Sequence, residues 1–363
     1  MVAEIMDTIR RDYDPRHANT TKMLAPSLKA DVIDRVRSKR PALETSWRFR
    51  VDGSFEQLRF QTGALSIVAA PTGHGKTTFL INALLDAVER YPDERHWLFS
   101  YEEDKIAVTL KALNAYVGES LSKDNRRTIE NYYRNPESQA LAAEVRERFE
   151  MREREFWHLY EAGRINIVEC DYPIETLGDI IKTIAQDTAG FVGIDYMGLL
   201  QHTDSERRMT RQEELKRIAL SLKDVAVATS LAIVATAQFN RDVLSPDMIA
   251  LNRIAEAADI ERAANKVIGL WLGDRPPILD PRRNGNGKGR LSVKSGTILL
   301  NVLKARDERA GMSNTFAFDG NAGTIGKDPF GSVGQGVKPR GAPSDDETNV
   351  ASDTGDGWDE YRG

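Results

Sequence analysis

"AAPTGHGKTT", residues 69–78, continues the apolar run "LSIVAA" (65–70) and opens a segment of helical period, "KTTFLINALLDAVER" (76–90). A buried strand that turns through small residues into a helix N-terminus makes a phosphate cradle. The N–H groups of the turn and the helix dipole both favour an anion there. Placed between strand and helix, the pattern is a Walker A loop. Ala70, Pro71, Thr72, Gly73, His74, Gly75, Lys76, Thr77 and Thr78 are therefore expected to bind ATP. Lys76 should reach the β- and γ-phosphates and Thr77 should hold Mg²⁺. The motif opens with Ala70 where glycine is usual.

Seven further apolar, β-branched runs lie outward from this stretch: "HWLFS" (96–100), "INIVE" (165–169), "FVGID" (191–195), "LAIVATA" (231–237), "KVIGLWL" (266–272), "ILLNVL" (298–303) and "TFAFD" (315–319). The first four and "LSIVAA" alternate with segments of helical period at 76–90, 104–117, 174–189 and 211–229. Continuous buried strands separated by helices predict an α/β fold, a mainly parallel sheet with helices on both faces. The last three runs lie close together without long helices, which predicts a C-terminal antiparallel extension. Residues 119–163, ending in "EVRERFEMREREFWHLYEAG", read as a charged helical insertion with a solvated face.

Both ends differ from this middle. Residues 1–44 hold amphipathic pieces such as "SLKADVIDRVRSK" but little apolar mass, and read as an arm and linker. Residues 326–363 are rich in Gly, Pro, Ser and Asp and read as a disordered acidic tail. Residues 45–325 are left as the folded domain. Within the tail, residues 341–363 carry −6 of the chain's net charge of −5, so the rest comes to about +1. The acidic total thus leaves room for a nucleic-acid-binding surface. No apolar run reaches the roughly 18 residues of a membrane span, and the charged N-terminus lacks a signal-peptide core. A single cysteine, Cys170, permits no internal disulfide and fits a reducing, cytoplasmic setting. Its place at the end of "INIVEC" points to packing.

Hydrolysis needs two more elements. "FVGID" ends in Asp195, the Walker B pattern in which a carboxylate orients Mg²⁺ through water. "HWLFSYEED" places Glu102 and Glu103 at a strand end, where a carboxylate can activate water beside the γ-phosphate. In "LKAR", Lys304 and Arg306 alternate with Ala305 and so share one face of a strand end.

With these residues in order, the chain resembles the hexameric replicative DNA helicases of the DnaB type, including the helicase half of phage primase-helicases. The resemblance runs from about residue 47 to 320 through "APTGHGKTT", "FSYEED", "GIDYMGLLQ", "ATAQFNR", "RIAEAADIERAANKVI" and "LKARDERAG". It implies a RecA-like P-loop NTPase core over 45–325, ATP-driven movement on single-stranded DNA, and a homo-oligomer, a hexameric ring with ATP sites between subunits. It further implies that Glu102 is the catalytic glutamate and Asp195 the Walker B aspartate. Gln238 matches the polar sensor of the γ-phosphate, and Lys304 and Arg306 match a basic pair inserted by the neighbouring subunit.

Three departures stand out. Residues 1–44 are too short for a primase or collar domain, which points to a separate primase or loader as partner and to a phage, plasmid or other mobile element. The family's usual "RNG" after the finger strand is "RDERAG" here, and 274–296 is expanded and basic.

Loops that leave the carboxyl ends of the strands are where open α/β sheets bind ligands. One such loop carries Arg207, Arg208 and Arg211, the next Asn240, Arg241 and Arg253. These six are the candidate single-stranded DNA contacts, since arginines and polar groups grip phosphates without reading sequence. Solvated surface arginines are the alternative. Phe239 is open to two readings, a base-stacking ring or a buried strand end. The alternative function is a RecA-type ATP switch or assembly scaffold without unwinding activity.

Overall fold

The computed structural model describes residues 42–118, 129, 133–134, 143–186, 189–203, 210–254, 257–274, 293–306 and 308–326. The expected acidic tail beyond 326, residues 1–41 of the arm, Arg207, Arg208 and most of the basic 274–296 stretch lie outside the described residues.

A two-residue turn opens the described part. Asp52 (φ 48°) and Gly53 (φ 85°) both take left-handed backbone, as the tight turns that match strand twist require. They join β1 (Ala42–Val51) to β2 (Ser54–Gln61) as an antiparallel hairpin. Leu43, Thr45, Trp47 and Phe49 point inward while Glu44, Arg48 and Arg50 face out, the period of a half-buried strand. This hairpin lies outside the runs expected as strands.

Six strands run parallel: β3 (Ala64–Ala70), β4 (Arg95–Ser100), β5 (Ile165–Glu169), β6 (Ala189–Asp195), β7 (Ala232–Gln238) and β8 (Lys266–Leu272). Their spatial order is β8-β3-β7-β6-β4-β5. The antiparallel strands β9 (Thr297–Ala305), β10 (Ser313–Asp319) and β11 (Thr324–Ile325) continue the sheet beyond β8. One expectation needs correction. The run 266–272 is not itself part of the antiparallel extension, because β8 pairs parallel with β3 and begins the extension only on its other side, with β9. Buried on both faces throughout, β8 packs as a central strand does.

The helices α1 (Lys76–Arg90), α2 (Lys105–Val117), α3 (Ala143–Glu161), α4 (Ile174–Ile184), α5 (Arg211–Thr229) and α6 (Ala257–Ala263) cover the sheet. Alternation along β3 divides the core: Val68 and Ala70 face one cluster, Leu65, Ile67 and Ala69 the other. The first cluster holds Phe79 and Leu84 of α1, Val108 and Leu113 of α2, Phe156 of α3, and the hairpin, whose Trp47 stacks on Phe79 at 4.9 Å. The second holds Leu177 and Ile181 of α4, Ile218 and Leu222 of α5, and Ile260 of α6. The expected charged insertion therefore contributes α3, which buries Phe149 and Phe156 and exposes most of its charge. Among the described residues no helix is long and apolar enough to cross a membrane.

Helix starts follow local chemistry. Asp104 caps α2 by accepting from the Ala107 N–H at 2.9 Å, and Thr210 and Glu213 form a reciprocal capping box on α5. At α1 the capping position is Gly75, which supplies no side-chain cap. The first-turn N–H groups of that helix are left for another partner.

Candidate active site

Strand register assembles the site. Ala70 at the end of β3 lies opposite Gln238 at the end of β7, and Asp195 at the end of β6 lies opposite Ser100 at the end of β4. The loop 71–75, Asp195, Gln238 and Glu102 therefore leave the sheet along one edge, the carboxyl edge where α/β sheets bind ligands.

The phosphate loop depends on Gly73 (φ 75°) and Gly75 (φ 87°), both in left-handed backbone. A side chain at Gly75 would also press on Ile298 at 3.3 Å. His74 turns inward: its Nδ1 accepts the Leu272 N–H at 3.1 Å and its ring lies 4.3 Å from Trp271. The loop is thereby tied to the end of β8. Lys76 is buried, with Nζ 5.9 Å from the centre of the Tyr196 ring.

Asp195 is held from both sides. The Thr77 hydroxyl donates to Oδ2 at 2.5 Å, and the Thr236 hydroxyl donates to Oδ1 at 2.6 Å. Thr236, fully buried in β7, is a site residue that the sequence reading missed. Its signal was a hydroxyl inside the apolar run "LAIVATA". The Thr77 hydroxyl in the first turn of α1 and the Asp195 carboxylate at the end of β6 make an oxygen-only set that suits Mg²⁺. The uncapped N-terminus of α1 beside it suits the phosphates of ATP. When bound, that cation would neutralise charge on the transferred phosphoryl group. The Asp195–Tyr196 peptide is cis.

The two candidate glutamates differ. Glu103 is engaged by Lys111, whose Nζ donates to Oε1 at 2.6 Å, and its backbone is held by Ser100. Glu102 is exposed, and no hydrogen bond or ion pair joins its side chain to another described residue. Gln238 reaches across to the phosphate loop, its Nε2 donating to Thr72 Oγ1 at 2.5 Å.

Lys304 and Arg306 are brought together, but away from the phosphate loop of their own chain. Lys304 Nζ donates to the Glu261 carbonyl and Arg306 Nη2 to the Arg262 carbonyl at 2.7 Å. Both cations thus sit at the C-terminal end of α6, where the helix dipole favours positive charge. Burial, helped by Arg306, holds the Lys304 ammonium below the usual lysine range. The Arg306 N–H bonds Asn265 O at 3.1 Å, and the Asn265 N–H bonds Leu65 O at 2.8 Å. Arg306 therefore stands near the start of β3, whereas the phosphate loop follows its end, about 15 Å away along the strand.

The loop arginines are unequal. Arg211 is committed to the Glu214 carboxylate and to the carbonyls of Gly198 and Leu200. Arg253 pairs with Asp242. Asn240 and Arg241 are exposed, and neither side chain bonds another described residue. Phe239 is buried at 2% exposure, which fits the strand-end reading and not the stacking one. Cys170 is buried too, and desolvation, with Asp171 and Glu169 adding, pushes its thiol up to about 12.

Comparison with known proteins places the chain in a family. A "Replicative DNA helicase DnaB" of Mycoplasma genitalium is 26% identical over 262 residues, which is 66% of this chain and 52% of the relative. One of Helicobacter pylori is 24% identical over 216 residues, 59% of this chain and 41% of the relative. The chain thus spans about half the length of the curated relatives it matches. A solved structure described as "The Structure Of A DnaB-Like Replicative Helicase And Its Interactions With Primase" superposes with a TM-score of 0.55 at 16% identity. It covers 74% of this chain and 58% of that one, a likeness of fold. The family described as "DnaB-like helicase C terminal domain" matches residues 55–315. With well over half its length matched, the chain belongs to the DnaB-like helicase C-terminal domain family.

Proposed function

We propose that this chain is an ATP-hydrolysing, ring-forming motor that moves on single-stranded DNA, with each ATP site completed by the neighbouring subunit. Lys76 and the α1 N-terminus bind the phosphates, Thr77 and Asp195 hold Mg²⁺, Glu102 activates water, and Gln238 links the phosphate loop to the loop that carries Asn240 and Arg241. The observation that carries the reading is the placement of Lys304 and Arg306. They lie at the opposite sheet edge from their own phosphate loop, held at the end of α6, as a cation pair acting on an adjoining subunit would be.

A second reading, an ATP switch without unwinding activity, draws support from Arg211 and Arg253. Both are already spent on carboxylates, which leaves few free cations for DNA among the described loops. A forked-duplex assay separates the two. The motor displaces a strand with ATP and Mg²⁺ and hydrolyses faster with single-stranded DNA. The switch turns over slowly and indifferently to DNA.

A further inference from the structure

Behind Arg306 lies a polar contact that the site does not use. Lys266, the first residue of β8, is 1% exposed, and its Nζ donates to Glu308 Oε2 at 2.5 Å and to the Arg59 carbonyl of β2. An ion pair taken out of water regains little net stability against the desolvation of both partners, so its presence argues for fixing a geometry. The other oxygen, Glu308 Oε1, is buried with no hydrogen-bond partner among the described residues. The carboxylate's commitment is therefore to Lys266.

Position gives the contact its meaning. The backbone of Lys266 pairs with Ser66 of β3 on one side and Ala305 of β9 on the other. Ala305 immediately precedes Arg306, and Glu308 follows it by two residues. The turn that carries Arg306 leaves the sheet at the bond from Arg306 N to Asn265 O and rejoins it at the bond from Gly311 N to Val302 O. Between these ends it is tied twice, through Glu308 to Lys266 of β8 and through Arg309 to Asp52 of the hairpin turn at 2.7 Å. Glu308 and Arg309 fall within "RDERAG", where this chain departs from the family's "RNG".

We propose that Glu308, anchored by Lys266, is the positioning residue for Arg306. The tie fixes how far and in which direction the arginine projects from the sheet edge, and so sets the rate at which the adjoining subunit's ATP is cleaved. This rests on the trans reading of Arg306 given above.

The test is steady-state ATPase of the full chain with single-stranded DNA present. Glu308→Gln should lower kcat about 10²-fold, the scale of a misplaced catalytic group. KM for ATP should stay within about twofold, because the phosphate loop is untouched. Added to Arg306→Ala, it should lower kcat no further, and mixing Glu308→Gln with Lys76→Ala subunits should restore turnover. Because Glu308→Gln removes the carboxylate that the buried Lys266 ammonium contacts, a second variant replaces both partners, Lys266→Met with Glu308→Leu. It should fold with an unchanged Tm and still be slow, since an apolar pair packs without aiming the turn. Glu308→Asp should recover part of the rate.

Normal kcat in either the Gln variant or the apolar pair, beside a slow Arg306→Ala, overturns the positioning role and leaves the trans reading standing. A loss that adds to that of Arg306→Ala also overturns it, as damage unrelated to the arginine. Normal turnover of Arg306→Ala removes the trans reading and, with it, the function assigned to Glu308.

Discussion

Thr77 and Asp195, 118 residues apart in the chain, share a hydrogen bond of 2.5 Å that joins the first turn of α1 to the end of β6. Asp195 is buried, and its other oxygen is held by Thr236. The orientation of the carboxylate toward Thr77 is thus set from β7, a strand with no part in the phosphate loop.

Thr236→Val should expose that dependence, because valine keeps the shape and removes the donor. Leaving one oxygen of Asp195 buried and unpaired should cost about 1–3 kcal/mol, read by denaturant unfolding. ATPase should fall with it, while Thr236→Ser keeps both. A valine variant with wild-type turnover would show that Asp195 needs no help from β7.

Glu102 and Glu103 should separate cleanly. Glu102→Gln should bind nucleotide and slow hydrolysis about 10²–10⁴-fold, the usual contribution of a general base. Glu103→Gln loses only a part-exposed pair with Lys111, worth about 0–1 kcal/mol, and should hydrolyse ATP almost normally. The reverse order of effects in single-turnover assays would exchange the two assignments.

Arg241→Ala should weaken single-stranded DNA binding and lower the salt slope by about 0.7, one phosphate contact's share of counterion release. Nucleotide binding should be unchanged. Titrations at several salt concentrations decide this, and an unaltered slope would make Arg241 a solvated surface residue.

Cys170 offers a probe of the fold itself. With its thiol pushed from the usual 9.0 up to about 12 by burial, only on the order of 10⁻⁴ of it is thiolate at pH 8. A thiol reagent should therefore react at the rate of opening, and fast once denaturant is added. Because the folded value is raised, the contribution is fully present below about pH 9 and fades as pH climbs toward 12. Rapid labelling of the native chain at pH 8 would contradict the buried thiol.

Much of this fold was legible because its signals are local. The runs that became β3 to β10 are apolar and contiguous, and the Walker A loop carries its own strand and helix. The β1–β2 hairpin was harder to read. Its inward residues alternate with Glu44, Arg48, Arg50 and Arg59 on the outward face, so it offers no contiguous apolar run. The signal that remained was Asp52-Gly53, a dipeptide suited to a tight hairpin turn. Thr236 left only a hydroxyl inside an apolar run, and the pair Lys266–Glu308 left no signal, because each acquires its partner only on folding, across 41 and 42 residues of chain. Likewise, no pattern distinguishes Arg253, neutralised by Asp242, from Arg241, whose side chain bonds no other described residue.

The central claim is that one chain holds the phosphate loop of one ATP site and the arginine of the next. It is tested most directly by the ATPase rate of an equimolar mixture of Arg306→Ala and Lys76→Ala subunits. Each variant alone should be nearly inactive, and loss of the arginine should cost roughly 10³–10⁵ in rate. Mixed, they should regain a substantial fraction of wild-type turnover, because some interfaces pair an intact Lys76 with an intact Arg306. A mixture as inactive as its components, in assemblies shown to contain both, would contradict the account.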